Sequence, residues 1–233
     1  MSLSQLIAGV HHALNWAQTS QFPKNQVVRE LRASESIVHK GANLKNAHRS
    51  DNKLCDLLAG LIVTKGYKNV LEIGTLFGFS TLHLAEAVEV TGGRVTTIDL
   101  RVGSRTWITG ETVENIHEYA LNAAVSSGLD KHIEFISGRS DVEMPKMTLA
   151  GRTFDLVFID GSHSKYVVAL DLINALNLLS PAGTVVLDDV SENVALRDYN
   201  HGGPNEVLMH LLGSAECHML PVTYNTMLIR RRR

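Results

Sequence analysis

Cysteine is scarce in this chain, with only Cys55 and Cys217 among 233 residues. The two are far apart and not in a metal-type spacing, so neither a disulfide framework nor a zinc site is indicated, and a reduced, cytosolic setting is expected. An excess of charge of either sign is also missing: 22 Lys and Arg stand against 24 Asp and Glu, for a net charge of −2. That balance provides no global field for gripping nucleic acid or an anionic membrane. Long apolar runs are absent too, and the opening "MSLSQLIAGVHHALNW" lacks a basic start followed by an extended apolar core, so neither a signal peptide nor a membrane span is expected. The one local excess, Arg230 to Arg233, reads as a solvated tail.

With 44% hydrophobic residues, the chain has room for one sizeable core, and a single domain over 1–233 is expected. Residues 1–49 read as an amphipathic helical preface, broken at Pro23 and at "HKGANLKNAHRS". From Ser50, a plausible N-cap, a helix carries Leu54, Leu57, Leu58 and Leu61 on one face and stops at Gly66. Cys55 reads as a small core residue beside that face. Beyond it, β-rich runs alternate with helical stretches: "NVLEIG", "RVTTIDL", "HIEFISG", "FDLVFID" and "TVVLDDV". Alternation of this kind predicts an α/β fold, doubly wound, with a mostly parallel sheet covered on both faces. The final runs "ECHMLPV" and "NTMLIRR" predict an antiparallel hairpin at one edge.

Ligands of open α/β sheets bind outside the carboxyl ends of the strands. The residues closing the runs are Glu72 and Gly74, then Asp99, then Gly138 with Ser140 and Asp141, then Asp160, and last Asp188 with Asp189. Adjacent carboxylates at the end of "VVLDDV" would be costly if fully buried, so they are expected at a shared cleft. In "LEIGTLFGFST", Gly74 and Gly78 allow a tight turn and close approach of a ligand, while Ser80 and Thr81 fall where a helix presents free N–H groups. The spacing is E-x-G-x-x-x-G rather than the dinucleotide G-x-G-x-x-G, and Glu72 would repel a diphosphate. Asp99, twenty-one residues beyond Gly78, is placed to accept from a ribose diol. Together these favour an adenosine ligand without phosphates.

In this order, "VLEIGTLFGFST", "VTTIDL", "ISGRSD", "FDLVFIDGSHS" and "GTVVLDDV" resemble the class I S-adenosylmethionine-dependent methyltransferases. Within that class the chain is similar to the catechol and caffeoyl-CoA O-methyltransferases and to the metal-dependent sugar O-methyltransferases of antibiotic pathways. The resemblance covers roughly 50–230 and implies a Rossmann-like seven-stranded sheet, with Glu72 and Gly74 lining the methionine part of S-adenosylmethionine near Gly78. It further implies that Ser80 binds the cofactor's carboxylate, Asp99 the ribose, and Ser140 and Asp141 the adenine.

Asp160 and Asp188 close what should be neighbouring strands, within reach of one coordination sphere. Carboxylates so gathered repel unless one protonates or a cation enters, and oxygen ligands select magnesium, calcium or manganese over zinc. The resemblance likewise matches Asp160, Asp188 and Asp189 to metal ligands, with Asp160 also beside the cofactor. A divalent cation bound to an acceptor hydroxyl would lower its pKa. His163 stands three residues after Asp160, where the catechol-type enzymes tend to have lysine, and Ser162 stands where sugar-modifying relatives can place an acid. As a side chain neutral at physiological pH, His163 is the candidate general base, ahead of Lys165. His11, His12, His39 and His48 read as surface or capping residues. The long loop after Asp99, with Arg105 and Trp107, reads as packing over the surface.

The expected activity is cation-assisted O-methylation of a small-molecule hydroxyl, phenolic or on a sugar, by a cytoplasmic homodimer formed through the preface, with no nucleic-acid or membrane partner. Two alternatives stay open: a metal-independent N- or S-methyltransferase, and a non-catalytic S-adenosylmethionine-binding regulatory protein.

Overall fold

A computed structural model describes residues 3–34, 36–45, 50–100, 103–106, 110, 112–190, 202–212, 217–223 and 225–231. The chain opens with helix α1 (Leu3–Thr19), whose Leu6, Val10, Ala13 and Ala17 recur at three- and four-residue spacing and are buried. They pack on α3 (Asn52–Lys65). Between them lies α2 (Gln26–Ala33), capped by Asn25 and tied to α3 by a bidentate Arg32–Asp56 pair. The preface is not wholly helical. Residues 36–39 (β1) and 42–45 (β2) form an antiparallel hairpin, turned by Lys40 and Gly41, both at positive φ. Two consecutive left-handed residues suit a tight hairpin turn, a signal masked by the polar composition of this stretch.

The N-cap of α3 is Asp51, which accepts from Lys53 N, rather than Ser50. Nearly every residue from Leu54 to Ile62 is buried, because α1 covers one side of the helix and α4 (Phe79–Thr91) another. Cys55 is buried as expected.

The central sheet holds β3 (Asn69–Ile73), β4 (Arg94–Asp99), β7 (Ile133–Ser137), β8 (Phe154–Ile159), β9 (Leu179–Leu187), β10 (Cys217–Pro221) and β11 (Met227–Arg231). Its order is β10-β11-β9-β8-β3-β4-β7. Strands β9, β8, β3, β4 and β7 run parallel, and β11 pairs antiparallel with both β9 and β10. The expected C-terminal hairpin is present, with its first strand outermost. Arg230 and Arg231 belong to β11, and Arg230 donates to the Ala182 carbonyl at 2.6 Å, so this half of the arginine run is strand rather than tail. Arg232 and Arg233 lie outside the described residues.

Both faces of the sheet are apolar, as parallel strands sandwiched by helices require. Val70, Leu156, Phe158 and Val186 face α3 and α4, while Leu71, Val157, Ile159 and Val185 face α6 (Ser140–Leu149) and α7 (Lys165–Leu178). Helix α5 (Ile116–Ser127) joins β4 to β7, and α8 (Gly202–Leu212) packs on α7. The loop after Asp99 holds a second hairpin, β5 (Ser104–Thr106) with β6 (Thr112–Glu114). Its Val113 joins Ile37, Leu44, Phe77 and Ile116 in a small core of their own. Both hairpins therefore pack onto the glycine turn that follows β3.

Gly60 marks where α1 and α3 approach most closely: a Cβ there would fall 2.1 Å from the Ala13 carbonyl oxygen. Since the obstacle is backbone, the helices must separate to admit a methyl. Gly60→Ala is expected to cost about 1–3 kcal/mol, read as a lower urea midpoint with an unchanged slope.

Candidate active site

Backbone hydrogen bonds line up the strand ends. Gly74 N donates to the Ile98 carbonyl, Asp160 N to Ile73 and Asp188 N to Ile159, at 2.9, 2.9 and 3.0 Å. The first residues past β3, β8 and β9 thus lie side by side at the carboxyl edge of the sheet. Gly74 has φ 102°, and a Cβ on it would meet the Asp160 carbonyl oxygen at 2.1 Å, so only glycine fits. The turn closes with Gly78 N donating to the Thr75 carbonyl, and α4 begins beyond it without a side-chain cap. Its first N–H groups are the orphan donors every helix start presents.

Glu72 is fully buried under this turn. Hydroxyls of Ser80 (2.6 Å), Thr97 (2.7 Å) and Thr81 donate to its carboxylate. Burial still dominates and pushes its pKa up to about 7, with the three hydroxyls pulling the other way. Ser80, expected to hold the cofactor's carboxylate, here commits its hydroxyl to Glu72. One oxygen of Asp99 accepts from both Thr75 N and Leu76 N at 2.9 Å, so this acid also fixes the shape of the turn. Asp99, Thr75, Leu76 and Arg105 line a pocket that runs back along Ile116, Ala120 and Phe135. Arg105 pairs across its hairpin with Val113 and lines this pocket while staying exposed on β5. Trp107 lies outside the described residues. Farther along the edge, Ser140 opens α6, and Asp141 holds a bidentate pair with Arg139 at 2.9 and 2.6 Å that lowers its pKa.

The other end of the cleft is acidic. Asp160 accepts from the Ser50 hydroxyl at 2.9 Å, and Asp188, almost wholly buried, accepts from the Thr226 hydroxyl at 2.8 Å. Burial and the negative charge of Asp189 raise Asp160 to about 6. Burial first, then Asp160 and Asp189, push Asp188 well above the carboxylate range. Asp189 has φ 58° and sets Oδ2 2.7 Å from His163 Nε2, and this bond raises the pKa of the histidine. Asp160, Asp188 and Asp189 are close enough to repel, yet each turns to its own partner, and among the described residues no group of three or more His, Cys, Asp or Glu side chains is set to hold a metal ion.

Ser50 and Thr226 were not among the expected site residues. Ser50 resembled a helix cap in the sequence, and no local pattern links it to an aspartate 110 positions away. Lys165 starts α7 and pairs with Glu206 of α8 at 2.7 Å, away from the acidic cluster. His39 uses Nε2 on the carbonyls of Glu114 and Asn115, His11 and His12 are exposed on α1, and His48 lies outside the described residues. Residues 191–200 likewise lie outside the described residues.

Residues 71–190, just over half the chain, match a family described as a methyltransferase domain. The chain belongs to that family. It is a class I S-adenosylmethionine-dependent methyltransferase, and Glu72 through Val190 lie inside the matched segment. A catechol O-methyltransferase of Niastella koreensis is 26% identical over 178 residues, covering 75% of this chain and 71% of that protein. Another catechol O-methyltransferase, from Mycobacterium tuberculosis, is 34% identical over 137 residues, covering 59% and 53%. Among solved structures, the O-methyltransferase TomG from Streptomyces achromogenes with S-adenosylmethionine superposes with a TM-score of 0.62 at 23% identity, over 94% of this chain and 89% of that one. The likeness of TomG is one of fold, and it agrees with the Rossmann-like, doubly wound sheet of this methyltransferase.

Glu72 gives the methyltransferase a pH signature when no ligand is bound. Its pKa rises from 4.5 to about 7 on folding, so the folded state binds the extra proton, and this contribution to stability is complete below 4.5 and lost as pH climbs through 7. The shift is worth roughly 3 kcal/mol. Stability of the ligand-free protein is expected to fall between pH 5 and pH 8, and Glu72→Gln should flatten that decline in urea titrations at the two pH values.

Proposed function

We propose that this methyltransferase transfers the methyl group of S-adenosylmethionine to a hydroxyl of a small molecule, phenolic or on a sugar, with a divalent cation at the acidic end of the cleft. The observation that carries this is the His163–Asp189 contact beside Asp160 and Asp188, a base and three hard oxygen donors next to the turn that would hold the methyl donor. A sulfonium methyl needs no further activation, so the protein's task is to align the acceptor oxygen and take its proton. The names of relatives, catechol O-methyltransferases among them, support oxygen as the acceptor atom.

On this proposal Glu72 and the Gly74–Gly78 turn receive the methionine part, Asp99 the ribose, and Ser140 and Asp141 the adenine. Asp189 accepts from His163 Nε2–H and so selects the tautomer in which Nδ1 takes the proton. Asp160, Asp188 and Asp189 would hold the cation: they offer only carboxylate oxygens, and their mutual repulsion is what a hard cation relieves. When bound, such an ion acts as a Lewis acid on the acceptor hydroxyl. Ser50 and Thr226 orient Asp160 and Asp188 through the oxygens they occupy.

The test is methyl transfer to a panel of phenols, sugars, amines and thiols, with formation of S-adenosylhomocysteine as readout. Chelation is expected to abolish transfer to hydroxyls and magnesium to restore it, while His163→Ala lowers kcat by about 10²–10⁴-fold and leaves S-adenosylhomocysteine binding intact. Transfer to amines or thiols that survives chelation would replace this function with a metal-independent one. Binding without turnover on any acceptor would point to a regulatory protein.

A further inference from the structure

Outside the cleft, one ionisable group has no evident use. Asp171 lies in the middle of α7 on the side packed against α6, with 0% of its surface exposed. Neither carboxylate oxygen has a hydrogen-bond partner. Val168, Leu172 and Ala175 of α7 and Met144 and Met147 of α6 are buried in one apolar core between the two helices. A lone carboxylate is expensive in such a place, and an apolar side chain of similar size would pack there at lower cost.

The groups facing Asp171 come from the start of α6. The Ser140 hydroxyl favours its charged form without reaching hydrogen-bond geometry in this conformation, and the Asp141 charge opposes it. Helix α6 in turn lacks a side-chain cap, because Arg139 at the cap position carries only donors, and these go to Asp141. A helix start short of acceptors therefore faces a buried anion short of donors. Small movements of Ser140 would satisfy both.

We propose that Asp171 is a positioning residue for the cofactor, anchoring the Gly138–Asp141 turn from beneath through Ser140 and so fixing the bed on which the adenine of S-adenosylmethionine lies. This rests on the assignment of Ser140 and Asp141 to the adenine made above. The same helix starts just after His163, so α7 ties the adenine turn to the proton acceptor in one rigid element.

Asp171→Asn keeps the shape and removes the charge, and Ser140→Ala removes the intermediary. Each is expected to weaken S-adenosylhomocysteine binding by about tenfold in calorimetry, the loss of the one charge-assisted hydrogen bond that Ser140 would form to Asp171 as the adenine bed closes. In Asp171→Asn the KM for S-adenosylmethionine should rise in parallel, with kcat at saturation changed less than about twofold. The double variant should lose no more than either single one. Melting at pH 8 separates positioning from mere packing: Asp171→Asn should melt no lower than the wild type, because it discards a buried charge while binding worsens. Unchanged affinity, additive losses, or an affinity loss that merely follows a lower melting temperature would overturn the proposal. Failure of the wild-type protein to bind S-adenosylhomocysteine would overturn the adenine assignment and this inference with it.

Discussion

The structure depends on how one sheet edge carries Glu72, Asp99, Asp160, Asp188 and Asp189 without tearing itself apart. Water cannot solvate the most buried of them, so hydrogen-bond donors from the protein must do so. The acids are served in four ways. Glu72 takes three hydroxyls, Asp99 takes two backbone amides, Asp160 and Asp188 take one hydroxyl each, and Asp189 takes an imidazole. The donors come from Ser50 just ahead of α3, α4, β4, the glycine turn, the β8–α7 loop and the β10–β11 connection, so the acidic edge is what those segments are fastened to.

This fastening holds the glycine turn in one shape despite its two glycines. Gly74 is pressed against the Asp160 backbone and Gly78 against Ala120 of α5, while Asp99 pins Thr75 and Leu76. Phe77, between them, is buried in the small core made by the two hairpins. A loop that must present N–H groups to a ligand gains little from flexibility, since ordering it on binding would cost affinity. Preorganisation here comes from backbone and side chains that arrive from separate parts of the chain.

Much of this was legible from the sequence where the signal is local and periodic. Strands buried on both faces produce apolar runs ending in acids, and "FDLVFID" and "TVVLDDV" gave β8 and β9 with Asp160 and Asp188 on the correct edge. Two kinds of feature escaped. The β1–β2 hairpin is short and polar on one side, and its turn at Lys40–Gly41 lacks the asparagine or aspartate that would have flagged it. Ser50 and Asp51 are both competent caps in sequence, and the choice between them is made by Asp160, which claims the serine hydroxyl and leaves the helix to the aspartate.

The same limit governs the aspartates. Strand order can place Asp160 beside Asp188, because register is a backbone property, but it cannot say where a carboxylate points. Asp189 shows why. Its left-handed backbone swings the side chain toward His163 instead of along the strand direction, a conformation that short polar residues tolerate far better than branched ones. An alternating pattern predicts only which face a residue shares, and at the first residue past a strand even that rule lapses. The chemistry of this cleft is therefore set by departures from regular structure, at Gly74, Gly78 and Asp189, held in place by the regular sheet behind them.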